Sequence, residues 1–68
     1  MGNLYNIELK QAQKALNCYQ ESIEYLHLLG DHIGLATVYN NMGNLYLKQS
    51  NYKDAIESFH NGFKALSS

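Results

Sequence analysis

Apolar residues recur along this chain at steps of three and four. The first stripe runs Tyr5, Leu9, Ala12, Leu16, Tyr19, Ile23, Leu26, alternating steps of four and three. That alternation is a heptad-like seam along one face of a helix. Residues Ile7 to Lys14 contain no Gly, Pro, Ser or Asn and are mostly good helix formers. The pattern predicts one long helix over residues ~4–29. The alternative is a short stub broken near Asn6, with a helix restarting at Ile7. Leu29-Gly30-Asp31 then ends the segment, Gly30 as a left-handed C-terminal cap and Asp31 as the N-cap of the next helix. A second helix is expected over ~32–49, with Ile33, Ala36, Tyr39, Met42/Gly43 and Tyr46 on its packed side. Gln49-Ser50-Asn51 supplies the next stop, and Asn51 is expected to cap a third helix over ~52–66. Its packed stripe reads Tyr52, Ala55/Ile56, Phe59, Phe63 and Leu66, with Gly62 placed for close approach of two helices.

The chain also repeats itself. Met1-Gly2-Asn3-Leu4-Tyr5 is letter for letter Met42-Gly43-Asn44-Leu45-Tyr46, and Lys14-Ala15-Leu16 with Tyr19 echoes Asp54-Ala55-Ile56 with Phe59. The Ala-to-Ala offset is 55 − 15 = 40 residues. Within the second copy Tyr39 precedes Met42-Gly43 by three residues and Tyr46 follows Gly43 by three. Ala55 comes nine residues later and Phe59 four after that. This spacing resembles the tetratricopeptide repeat, in which two antiparallel helices pack through small residues surrounded by aromatics. With the Leu-Gly-Asp joint and the Asn-Asn-Met-Gly-Asn run, it is similar to the variant of ~40 residues known from kinesin light chains and G-protein-regulating polarity scaffolds.

The resemblance implies an all-α fold, a tetratricopeptide-like antiparallel helix array of about one and a half repeats. Residues 1–68 would be a single module, with 1–29 a partial first repeat and 30–68 a full second one. The first copy lacks the usual turn, since Asn6 to Lys14 carries no stop signal after Asn6. The resemblance further implies a peptide-holding groove whose facing positions here are Thr37, Asn40, Asn41, Asn44 and Lys48. The residue types agree, because an Asn amide offers both a donor and an acceptor to a peptide backbone. The same residues also suit a plain solvated face.

Composition narrows the function. A chain of 68 residues buries only ~60% of its unfolded surface. At that size hydrophobic gain and ordering entropy nearly cancel, so cover from a second chain or further repeats is expected. Net charge is −1, and all five basic residues are Lys. That argues against nucleic acid as a partner, which calls for a basic stripe and Arg forks. No run of about 18 apolar residues is present, and no basic-then-apolar leader, so a cytoplasmic protein without membrane attachment is expected. Met1-Gly2 begins like a myristoylation site, but Asn6 stands where Ser or Thr is preferred.

Catalytic chemistry finds no footing. His27, Asp31 and His32 straddle the Gly30 joint without a metal-binding spacing or a third ligand. His60 is expected half-exposed, and Glu21 with Glu24 reads as a solvated pair. Cys18 is the sole cysteine, expected to be a small buried hydrophobe beside Tyr19. No base attends it, no phosphate loop exists, and neither an enzyme nor a cofactor is expected. The reading is a protein-interaction and self-assembly module, a homodimer through the seam Tyr5, Leu9, Ala12 and Leu16, with helices exchanged between copies. The alternative is a peptide-binding sensor using the Asn-lined face of the second helix.

Overall fold

The computed structural model describes residues 2–67, with side chains from Lys10 onward. Among the described residues there are three helices and no strand: α1 (Gly2–Leu29), α2 (His32–Lys48) and α3 (Tyr52–Ser67). The long first helix is therefore continuous, and no break occurs at Asn6. At 1.5 Å per residue its 28 residues span about 42 Å, close to the 45 Å long axis of the molecule.

Two short joints fold the chain back on itself, and both use the same hydrogen-bond pattern. At the first, Asp31 N–H donates to Leu26 O (3.0 Å) and Gly30 N–H to His27 O (3.1 Å). At the second, Asn51 N–H donates to Tyr46 O (2.8 Å) and Ser50 N–H to Leu47 O (3.0 Å). This pairing is the Schellman motif, which satisfies the last carbonyls of a helix by turning one residue left-handed. Gly30 takes that role at φ 70° and Ser50 at φ 59°. Gly carries no Cβ penalty there, whereas Ser does.

The helix starts differ from one another. Asp31 accepts a hydrogen bond from Gly34 N–H at 3.0 Å, the N-cap its residue type predicts. Asn51 does not do likewise. Its side-chain amide donates to the Asp54 carboxylate at 2.6 Å, while its backbone carbonyl accepts the first helical bond from Ala55 N–H. The side chain is thus spent on the carboxylate in the first turn, and the expected cap is replaced by this pair.

Packing follows a simple order: among the described residues α1 lies on α2 and α2 lies on α3, with no direct packing of α1 on α3. The α2–α3 contact is a row of small residues. Ala55, Ser58, Gly62 and Ala65 are the buried residues of α3, and Leu35, Met42 and Gly43 those of α2. A Cβ added to Gly43 would sit 2.5 to 2.8 Å from the Phe59 ring. One added to Gly62 would lie 3.3 Å from Tyr39 Cβ and 3.4 Å from the Ala36 carbonyl oxygen. Small residues let the two helices close to this distance.

The large apolar residues expected on the packed stripe of α3 are mostly outside it. Tyr52, Ile56, Phe63 (69% exposed) and Leu66 lie open, as does Ile33 of α2 (74%). The reason is geometric: positions 55, 58, 62 and 65 form the row beneath α2, so Ile56, Phe63 and Leu66, one step on, are turned away, while Phe59 alone of these neighbours reaches back against Gly43. On α1, Ala12 is buried, and Leu16, Tyr19, Ile23 and Leu26 are half-buried. Cys18 is exposed rather than buried, because it lies a quarter-turn off that stripe.

Two stability outcomes follow. At fixed protein concentration, Gly43→Ala should lower the unfolding free energy by about 1–2 kcal/mol through the Phe59 clash, despite its better helix propensity. Adding Phe59→Leu should recover part of that loss. The paired joints predict opposite signs: Gly30→Ala should cost about 1 kcal/mol, whereas Ser50→Gly should add up to about 1 kcal/mol. Urea denaturation followed by circular dichroism measures all four.

Candidate protein-interaction site

α2 is the central helix, and its exposed crest carries every residue of the implied groove. Thr37, Asn40, Asn41, Asn44 and Lys48 are all exposed, spaced by three and four residues along one face. Thr37 is partly self-engaged, since its hydroxyl donates to the Ile33 carbonyl at 3.0 Å. The crest is flanked by two troughs. On the α3 side, Ile33, Ala36, Phe59, Phe63 and Leu66 form an apolar groove whose rim includes Thr37 and Asn40. On the α1 side, Cys18, Ser22, Tyr25 and Leu26 face Val38 across a second trough.

A third depression lies between α1 and α3, floored by α2. Gln20 and Ile23 form one wall, Tyr39, Met42 and Tyr46 the floor, and Asp54, Glu57, Ser58 and Asn61 the other wall. Burial pushes the Tyr46 phenol above its ordinary value, and the Asp54 and Glu57 carboxylates push it further. This depression is polar and acidic. Its members come from three helices with no shared sequence signature, so chain order alone does not assemble it.

The seam residues separate into two groups. Ala12 and Leu16 belong to the stripe of α1 turned toward α2, the helix on which α1 packs among the described residues. The side chains of Tyr5 and Leu9 lie outside the described ones. Their place on the backbone is nevertheless telling. Leu26 lies against Gly34 at the joint, where a Cβ on Gly34 would be 2.9 Å from the leucine methyl. The helices run antiparallel, so Lys48, fourteen residues after Gly34, falls level with Ala12, fourteen before Leu26. Helix α1 therefore continues past the end of α2 by about ten residues, some 15 Å.

Exposed apolar side chains were the feature least visible from residue spacing. Tyr25, Leu28 and Leu29 lie open at the end of α1, and Ile33, Ile56, Phe63 and Leu66 on the α2–α3 side. The small-residue row at 55, 58, 62 and 65 is the signal that would have found them. His27, His32 and His60 are exposed, and no group of three metal-ligand side chains converges among the described residues. Among the same residues no helix is long and apolar enough to cross a membrane.

No curated protein and no solved structure matches the chain. A family model described as tetratricopeptide repeat matches residues 1–60. Repeats of that kind mediate protein–protein interaction in general and are non-enzymatic scaffolds. With the family model covering most of the sequence, and with helices closing on small residues at 43, 55 and 62, the chain belongs to the tetratricopeptide-repeat family.

Proposed function

We propose that this chain is a protein-interaction module that assembles with a second copy of itself into a homodimer. The observation that carries the reading is the open apolar surface. Leu28, Ile33, Ile56, Phe63 and Leu66 are each more than 60% exposed in a chain of 68 residues. Ile33, Phe63 and Leu66 share one groove, and a soluble monomer rarely leaves a contiguous apolar patch uncovered. Helical repeats bury such faces by stacking, and about three repeats are normally needed to do so. The extension of α1 past α2 supports the same reading, because among the described residues α1 packs on α2 and not on α3. Residues 1–29 serve as a partial first repeat and 30–68 as a full second one. Of the seam Tyr5, Leu9, Ala12 and Leu16, self-association would use Tyr5 and Leu9 on the overhang of α1, continuing the stripe on which Ala12 and Leu16 meet α2.

A second reading rests on the crest of α2. Thr37, Asn40, Asn41, Asn44 and Lys48 form a continuous polar strip, and Thr37 and Asn40 border an apolar groove. An extended peptide laid there would find amide donors and acceptors beside pockets for apolar side chains. Lys48 would meet a carboxylate on that peptide. Membership of the tetratricopeptide-repeat family, whose repeats mediate protein–protein interaction in general, supports this use.

Light scattering over a wide concentration range should give twice the chain mass down to low micromolar protein, with helical circular dichroism throughout. A well-folded monomer at every concentration would remove the homodimer reading. Leu9→Asp or Leu16→Asp should shift the mass to monomer or unfold the chain, since each sets a charge in the seam. Asn41→Ala with Asn44→Ala separates the two uses. The homodimer mass should be unchanged, whereas affinity for short acidic peptides should fall about fivefold per lost amide, as for ~1 kcal/mol each.

A further inference from the structure

One apolar stripe occurs twice on the chain, covered on α1 and open on α3. With the 40-residue offset Ala12, Leu16, Tyr19, Ile23 and Leu26 correspond to Tyr52, Ile56, Phe59, Phe63 and Leu66. On α1 the stripe lies against α2, with Ala12 buried and the other four half-buried. On α3 Phe59 is half-buried against Gly43, and the other four are between 61% and 69% exposed. Ile33 and Ala36 of α2 widen the open stripe into a groove with an uncharged lining.

The filling of the covered copy defines what fits the open one. α2 runs antiparallel to α1 and lays Gly34, Val38 and Met42 along the stripe in steps of four. Gly34 abuts Leu26, where an added Cβ would stand 2.9 Å from the leucine methyl. Val38 borders Leu26, and Met42 borders Ile23. The matching occupant of α3 is an amphipathic helix antiparallel to it. That helix sets a small residue over Leu66 and aliphatic residues four and eight positions on. α2 of a second copy does not supply it, being already seated between its own α1 and α3.

Charge narrows the occupant further. Asp54 and Glu57 of α3 line the depression on its α1 side, away from this groove. Lys53 and His60 follow Tyr52 and Phe59 on the outer side of the stripe, and both are exposed. By the same offset His60 stands where Gln20 stands on α1, in the depression floored by Tyr39 and Tyr46 of α2. An ammonium and an imidazole donor there favour carboxylates at the corresponding two positions of the docked helix.

We propose that the α2–α3 groove seats one acidic amphipathic helix of a different protein, docked on α3 as α2 is docked on α1. The proposal goes beyond the homodimer reading and uses neither the overhang of α1 nor the amides of Asn41 and Asn44.

The probe is a fluorescein-labelled peptide of residues 31–49 carrying Tyr39→Glu and Tyr46→Glu. The two changes set carboxylates toward Lys53 and His60 in the docked helix. They also bar exchange with the chain's own α2, where residue 46 stands beside Asp54 and Glu57. Fluorescence anisotropy should show saturable one-to-one binding to the native chain. Ile56→Asp and Phe63→Asp should each weaken it about tenfold or more, since each sets a charge in the groove. Their helical circular dichroism and urea midpoints should be unchanged, because both side chains are exposed in the free chain. A peptide with Tyr39→Gln and Tyr46→Gln instead should bind about threefold more weakly. Absence of saturable binding, or equal binding by Phe63→Asp, overturns the proposal. Equal affinity of the two peptides overturns its acidic part. Loss of binding in Asn41→Ala with Asn44→Ala moves the peptide to the crest and overturns it as well. A native dimer that Phe63→Asp converts to monomer shows a second copy in the groove, which overturns the proposal and leaves the homodimer standing.

Discussion

Close approach of α2 and α3 across small residues is the contact on which the rest of the structure depends. The Phe59 ring occupies the space a side chain on Gly43 would need, and Gly62 lies against Tyr39 and Ala36. Dispersion and burial both fall steeply with separation, so a pair of helices that nests this closely gains far more than one held apart by bulky residues. Once the row at Ala55, Ser58, Gly62 and Ala65 is committed to α2, the large residues on either side are forced out of the interface. The exposed Ile56, Phe63 and Leu66 are a consequence of the tight contact, not a failure of packing.

The two joints serve that contact. Each is three residues or fewer, and each ends a helix by the same left-handed turn, so the following helix is returned antiparallel. Gly30 does this without strain, and Ser50 does it with some. The first repeat has no such joint. Between Tyr5 and Ala15 the chain offers only helix formers after Asn6, and α1 runs straight through. Loss of one turn converts what would be two short helices into one long one and leaves each half without its neighbour.

Much of this was legible in the residues themselves. The Gly30 stop, the Asp31 cap and the unbroken seam from Tyr5 to Leu26 carry local physics that needs no tertiary context. The repeated Met-Gly-Asn-Leu-Tyr motif carries the pairing of α2 with α3. Less legible was which side of α3 is inside. Hydrophobic periodicity points to Tyr52, Ile56, Phe63 and Leu66, whereas the contact is made by their smaller neighbours, since nesting distance outranks residue hydrophobicity there. Cys18 was misplaced for the same reason: it occupies a small-residue position, which is buried only when a partner helix is present. The acidic depression around Tyr46 was invisible because its walls belong to helices that do not touch.

The crest of α2 divides the open surface of the chain in two. Ile33, Phe59, Phe63 and Leu66 line the trough on its α3 side, and Cys18, Ser22, Tyr25 and Leu26 face Val38 on its α1 side. Both troughs follow from one constraint. α2 packs on two neighbours at once, so each neighbour is covered along one face and left open on the face beside it. The polar strip from Thr37 to Lys48 is the part of α2 that neither neighbour reaches, which is why its residues stay exposed while Leu35, Met42 and Gly43 are buried. Apolar troughs beside a polar crest are thus the direct outcome of three helices stacked in sequence, with the middle one shared.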